Sequence, residues 1–181
     1  GISLTHEQLE QLQTYYQELI LWNSRMNLTA IVEYEDVMVK HFLDSYSVSP
    51  VLPEEVRSGG RLIDIGSGGG VPGIPLKVAF PAMGLTLLDS VGKKTRFLQH
   101  VVETMKLNDV EVSTGRAEEL AHEPRLREGF DSVISRGVAA MRVLMELTLP
   151  FSRIGGTVIT MKKGDIGQEV ADASHSLEVL G

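Results

Sequence analysis

The sequence predicts an α/β fold with a parallel sheet, carried on a helical N-terminal appendage, and three observations predict it. Short runs rich in Val, Ile and Leu alternate with amphipathic stretches from Arg61 onward, which is the pattern of βαβ units. A glycine-dense loop follows the first of those runs and opens a helix. The texture before residue 57 is helical throughout, and the two textures divide the chain into an appendage, 1–56, and a core, 57–181.

Each element has its own justification. Thr5 with Gln8 three positions later is a capping-box pattern, and Leu9, Leu12, Tyr16 and Leu19 recur at helical spacing, so a first helix runs to about Trp22 and Asn23. A polar turn, Ser24 to Thr29, leads to a second helix over Tyr34 to Val48, stopped by Pro50 and Pro53. Arg57 to Gly60 reads as a linker. Strands are expected at Leu62 to Ile65, Gly84 to Asp89, Val110 to Thr114, Phe130 to Ser135 and Thr157 to Met161. Helices are expected at Pro72 to Phe80, Lys93 to Met105, Ala139 to Leu149 and Gly167 to Leu180.

Composition narrows the function classes. With 181 residues, 43% of them hydrophobic, the chain can bury one sizeable core. No run approaches the roughly 18 apolar residues that a membrane helix needs, and the first residues do not resemble a signal peptide. The absence of cysteine excludes disulfides, thiolate metal sites and cysteine nucleophiles, and it fits a reducing, cytoplasmic setting. The net charge of −7 does not advertise nucleic-acid binding, so any RNA contact requires local concentration of cations.

The loop Asp64-Ile65-Gly66-Ser67-Gly68-Gly69-Gly70-Val71-Pro72-Gly73 lets a ligand approach the backbone, and Pro72 suits the first turn of a helix. Gly68, Gly70 and Gly73 satisfy G-x-G-x-x-G, and Asp89, 21 positions after Gly68 at the end of the second strand, can take both hydroxyls of a ribose. That spacing fits a dinucleotide as well as S-adenosylmethionine. Asp64 favours the latter, because a carboxylate beside the loop suits an ammonium and a sulfonium and repels a pyrophosphate. Gly115-Arg116-Ala117-Glu118 after the third strand can set a backbone amide and an acid against an adenine edge.

These residues, with Trp22-Asn23, Asn27-Leu28-Thr29, His41-Phe42-Leu43-Asp44-Ser45, Leu87 to Lys94, Ser135-Arg136 and Lys162-Lys163-Gly164, give the chain a resemblance to the bacterial small-subunit ribosomal RNA 7-methylguanosine methyltransferases, once called glucose-inhibited division protein B. The resemblance implies a Rossmann-like class I fold that moves a methyl from S-adenosylmethionine to N7 of a guanine in 16S rRNA, leaving S-adenosylhomocysteine. It places Asp64, Gly66, Ser67, Gly68, Val71 and Asp89 along the cofactor, with Gly66 and Val71 at its methionine end. It sets Ala117 and Glu118 at the adenine, Arg136 at the junction with substrate, and Asn23 and Asp44 near the base. Such sheets normally end in an antiparallel hairpin, which the supplied residues do not reach.

Other expectations follow. Strand ends put Lys93, Lys94, Arg96, Lys162 and Lys163 on one rim around the cofactor mouth, a patterned charge suited to a structured RNA. His41 and Asp44 read either as a hydrogen-bonded structural pair or as substrate contacts, and Trp22 as core packing or a base platform. His6, His100, His122 and His175 form no metal-ligand pattern, so no metal is expected. A monomer suffices. The alternatives are a nicotinamide-dependent oxidoreductase and a non-catalytic ribosome-binding protein.

Overall fold

A computed structural model describes residues 2–180, with the side chains of 175, 177 and 180 left out of the description. Helix α1 (His6–Met26) starts at the expected capping box, in which the Thr5 side chain accepts from the Gln8 amide and Gln8 bonds back to Thr5. It continues past Asn23 to Met26, because Asn27 adopts the left-handed conformation that ends a helix and its N–H bonds Asn23 O. Its buried stripe is Leu12, Tyr15 and Leu19. Leu9 is exposed and Tyr16 only half-buried, so the expected stripe is rotated by one position.

The second helical stretch is not one regular helix. Helix α2 (Tyr34–Val37) passes into a π-helical segment, Met38–Leu43, and then into α3 (Asp44–Tyr46). The wider turn puts both His41 and Phe42 into the interior, with His41 4% and Phe42 3% exposed. A short α4 (Glu54–Arg57) occupies part of the expected linker.

The core follows as β1 (Arg61–Ile65), α5 (Gly73–Ala79), β2 (Gly84–Asp89), α6 (Gly92–Thr104), β3 (Val110–Thr114), α7 (Ala117–Leu120), β4 (Phe130–Arg136), α8 (Met141–Thr148), β5 (Ser152–Met161) and α9 (Gly167–Leu180). The five strands are all parallel, in the order β3-β2-β1-β4-β5. Between β1 and β4 the winding reverses, and the crevice beyond their carboxyl ends is where such sheets bind ligands.

Strand alternation assigns each side chain to a face. Leu62, Leu85, Leu87 and Ile134 pack with α1, α5 and α6, in a cluster that also contains Tyr15, Leu19, Phe42 and Phe97. Ile63, Ile65, Leu88 and Val133 face the other way, against Phe130 and Phe151. The helices before residue 57 therefore share a core with the sheet. Truncating a fully buried aromatic such as Phe97 in such a core costs about 3–5 kcal/mol.

Candidate active site

The glycine loop is braced from three sides. Gly66 N and Ser67 N both donate to Leu88 O, Gly68 N donates to Asp89 Oδ2 at 2.9 Å, and the buried Tyr15 hydroxyl donates to Gly69 O. Burial pushes the Tyr15 phenol far above its ordinary range, so it acts as a fixed donor. Gly66 has φ +74°, and a Cβ there would stand 2.5 Å from Val138 Cγ2, so both backbone and space call for glycine. The sequence reading missed Tyr15, and its one signal was an aromatic next to the stripe on α1.

Asp64 is fully enclosed. It shares a face of β1 with Leu62, so its carboxylate points under the loop toward α5, where Oδ2 accepts from Gly73 N at 3.0 Å. Oδ1 has no partner among the described residues, and burial raises the group to a pKa of about 7. Its position ties the end of β1 to the start of α5, and it lines neither cavity described next. Ser67 likewise turns inward, its Oγ donating to Asp64 O at 2.8 Å.

Two cavities flank Gly66. One, of about 470 Å³, is walled by Ile65, Leu88, Asp89, Ala117, Glu118 and Val143 among others. The Asp89 carboxylate lies on it, 4% exposed, with Oδ1 accepting from Val91 N and Oδ2 from Gly68 N; each oxygen retains a lone pair that can take a hydroxyl. The smaller cavity, about 150 Å³, lies between the loop from Gly66 to Val71, Leu19, Leu28 and His41. A third, larger groove of about 780 Å³ opens between the π-helical segment and the end of β5. Arg136 lines all three.

Arg136 ends β4 and fastens the π-helical segment to it. Nη1 donates to Asp44 Oδ2 at 2.8 Å and to Lys40 O at 3.0 Å, and Nη2 lies 3.2 Å from His41 Nδ1. Burial, then Arg136, holds His41 below its ordinary pKa. A neutral ring meets its neighbours in either tautomer: with Nε2–H it donates to Thr29 Oγ1 at 3.1 Å while Nδ1 accepts from Arg136, and with Nδ1–H it donates to Lys40 O at 3.1 Å while Nε2 accepts from Thr29. Thr29 N in turn donates to Asn23 Oδ1 at 2.8 Å. The Asn23, Thr29, His41-to-Asp44 and Arg136 motifs, separate in the sequence, are thus links of one hydrogen-bonded chain. Asn23 lies at its far end and shapes the turn after α1; the described cavities do not include it.

The rim divides. Lys94 approaches Asp89 Oδ2 at 3.6 Å, and Lys162 is held by Glu169 at 2.6 Å and by Ala139 O at 2.9 Å, so both cations have internal partners. Lys93 is exposed and bonds Met26 O; Arg96 and Lys163 are exposed with no partner among the described residues. Trp22 packs on Phe97 and His100 at ring distances of 5.7 and 4.9 Å, as core. Among the described residues no group of three or more acidic or imidazole side chains could hold a metal ion, and no helix is long and apolar enough to cross a membrane.

Comparison with solved structures gives the same fold. An O-methyltransferase from Bacillus cereus in complex with SAH matches with a TM-score of 0.59 at 19% identity, over 92% of this chain and 79% of that one. Precorrin-6y C5,15-methyltransferase from Geobacter metallireducens matches with a TM-score of 0.52 at 16% identity, over 72% and 73%. By sequence the chain is 51% identical to the ribosomal RNA small subunit methyltransferase G of Dehalococcoides mccartyi, over all of this chain and 76% of that protein. It is 46% identical to the protein of that name from Lachnoclostridium phytofermentans, over all of this chain and 74% of that protein. The family model described as rRNA small subunit methyltransferase G matches residues 8–181, and the chain belongs to that family of methyltransferases.

Proposed function

We propose that this chain transfers a methyl group from S-adenosylmethionine to N7 of a guanine in 16S rRNA, as a cytoplasmic monomer. The observation that carries the reading is the meeting of three cavities at Arg136. The residues fit the cofactor: the 470 Å³ cavity lies within the range of small-molecule sites, has apolar walls for a purine, and holds one buried carboxylate, Asp89, where a ribose needs acceptors. Ala117 and Glu118 stand at its adenine end, and Gly66 to Val71 lead into the small cavity for the methionine end. When bound, the cofactor supplies a methyl on an electron-poor sulfonium.

Guanine N7 already holds a lone pair, so the chain needs no general base. Its task is to hold the two reactants in line and keep water out, which in well-oriented systems is worth several kcal/mol, roughly 7–11 at the upper end. Arg136 serves by fixing the wall between cofactor and base, and the appendage, 1–56, by supplying the helical face that Arg136 clasps. Arg96 and Lys163 are the exposed cations free to meet phosphates, with Lys93 also exposed and Lys94 and Lys162 held by internal partners.

The test is direct. Undermodified small-subunit RNA incubated with the protein and S-adenosylmethionine gains one 7-methylguanosine in a nucleoside digest; an unchanged digest overturns the reading. A non-catalytic ribosome-binding role would instead give binding that survives Arg136→Ala, with no methyl transfer from the wild type.

A further inference from the structure

We infer that the 780 Å³ groove is the pocket for the target base, and that Arg136 and Asp44 together select guanine in it by its O6 and N1–H edge. The inference rests on the guanine reading above and adds the residues that recognise the base. The groove and the cofactor cavity share Arg136 and Gly137, so a base lying in the groove borders the cavity in which the methyl must be presented. The 150 Å³ cavity is walled by the glycine loop and is too small to hold a nucleobase as well as the methionine end.

The groove suits a purine turned out of a helix. Val39 and Leu43, 55% and 62% exposed, form an apolar ledge on the π-helical segment, with Met161 among the other lining groups and Lys163 at the rim for a phosphate. Such a ledge on an otherwise acidic protein fits the face of a base, and its polar end is specific. Asp44 Oδ2 is held by Arg136, while Oδ1 has no partner among the described residues and the side chain is 41% exposed. Of the five guanidinium N–H groups, Asp44 and Lys40 engage two and His41 no more than one, so at least two stay free. The ion pair therefore presents a free donor beside a free acceptor.

Guanine carries the matching order on adjacent atoms, an acceptor at O6 and donors at N1 and N2. Adenine carries the reverse, a donor at N6 and an acceptor at N1, and would set like against like. With O6 on Arg136 and N1–H on Asp44, guanine places N7, the neighbour of O6, on the Arg136 side, toward the cofactor cavity. The transfer balances without a further reactant: the N7 lone pair forms the N–CH₃ bond as the C–S bond breaks, its electron pair stays on sulfur, and the positive charge passes to the ring. Asp44 then faces the ring that has become cationic, which favours the transition state over the ground state.

The test uses small-subunit RNA ligated to carry guanine, inosine or adenine at the position the wild-type protein methylates. Affinity is measured in the presence of S-adenosylhomocysteine, so a variant too slow to turn over still reports. The wild type is expected to bind guanine and inosine, which share O6 and N1–H, within about threefold of each other and to prefer both over adenine by about tenfold or more, in keeping with a bidentate base contact. Asp44→Asn is expected to bring the guanine-to-adenine ratio to within about twofold of unity while its S-adenosylhomocysteine affinity, measured separately, stays at the wild-type value. A wild type indifferent to adenine, or an Asp44→Asn that keeps the wild-type guanine-to-adenine ratio, overturns the inference. Failure of the guanine-N7 reading is distinct, since no methylated position would then be found.

Discussion

On one side of Arg136 the shape is set by the backbone contacts of one loop, and on the other by side chains that meet across the sequence. The 470 Å³ cavity and the glycine loop depend on Gly66 and Gly68, on amides that point at Leu88 O and Asp89, and on a hydroxyl from Tyr15. The groove depends on a π-helical segment whose position is set by Arg136, His41 and Thr29 reaching one another across up to 95 positions of sequence. Backbone geometry gives a rigid cradle that any adenosine-bearing ligand can use. A chain of side-chain contacts gives a wall that is specific and can be loosened one link at a time.

The largest expected effect breaks the junction itself. Arg136→Ala leaves Asp44 uncompensated and frees the π-helical segment, and a misplacement of about 1 Å at a reacting centre can cost 10²-fold, so kcat/KM for RNA is expected to fall about 100-fold with S-adenosylhomocysteine affinity changed by less than about threefold. Equal losses in both would show that the two sides are not separable. Gly66→Ala acts on the other side: the strained φ and the displaced Val138 are expected to weaken S-adenosylhomocysteine binding about tenfold in calorimetry, the lower end of what one misplaced methyl costs in a pocket. RNA affinity measured without cofactor should be unchanged.

Thr29→Val removes one link and keeps the shape. The loss of one hydrogen bond to a neutral His41 is expected to lower methyl transfer by about three- to tenfold, with no change in cofactor affinity. The smallest effect concerns Asp64. Its folded pKa of about 7 lies above the unfolded value of 3.8, so the folded state binds the extra proton, and stability should decline as pH rises from about 4 to about 7. Asp64→Asn, which can still accept from Gly73 N, is expected to flatten the thermal midpoint over that range; an unaltered slope would place the titration elsewhere.

The backbone side was legible in the sequence because its signals are local. Apolar runs marked all five strands, and the loop with Asp89 announced the cavity between them. Asp64 reads in the sequence as a carboxylate beside the loop that meets a cationic ligand, and its enclosure under the loop was not legible, since the face it occupies depends on which helices cover Leu62 and its neighbours. The side-chain wall was noticed only as scattered motifs. A π-helical turn has no periodicity of its own in a stretch of six residues, and the pairing of Arg136 with Asp44 spans 92 positions. The partners of the expected rim cations were not legible: Lys162 is held by Glu169, which sequence spacing does not reveal.

A crystal structure with S-adenosylhomocysteine tests the central claim most directly, because the account fixes where each part of that molecule must lie. The predicted result is an adenine against Ala117 and Glu118, ribose hydroxyls on Asp89, and a sulfur at Gly66 facing Arg136 and the open groove. A ligand seated in the groove, or a sulfur turned away from Arg136, would contradict it.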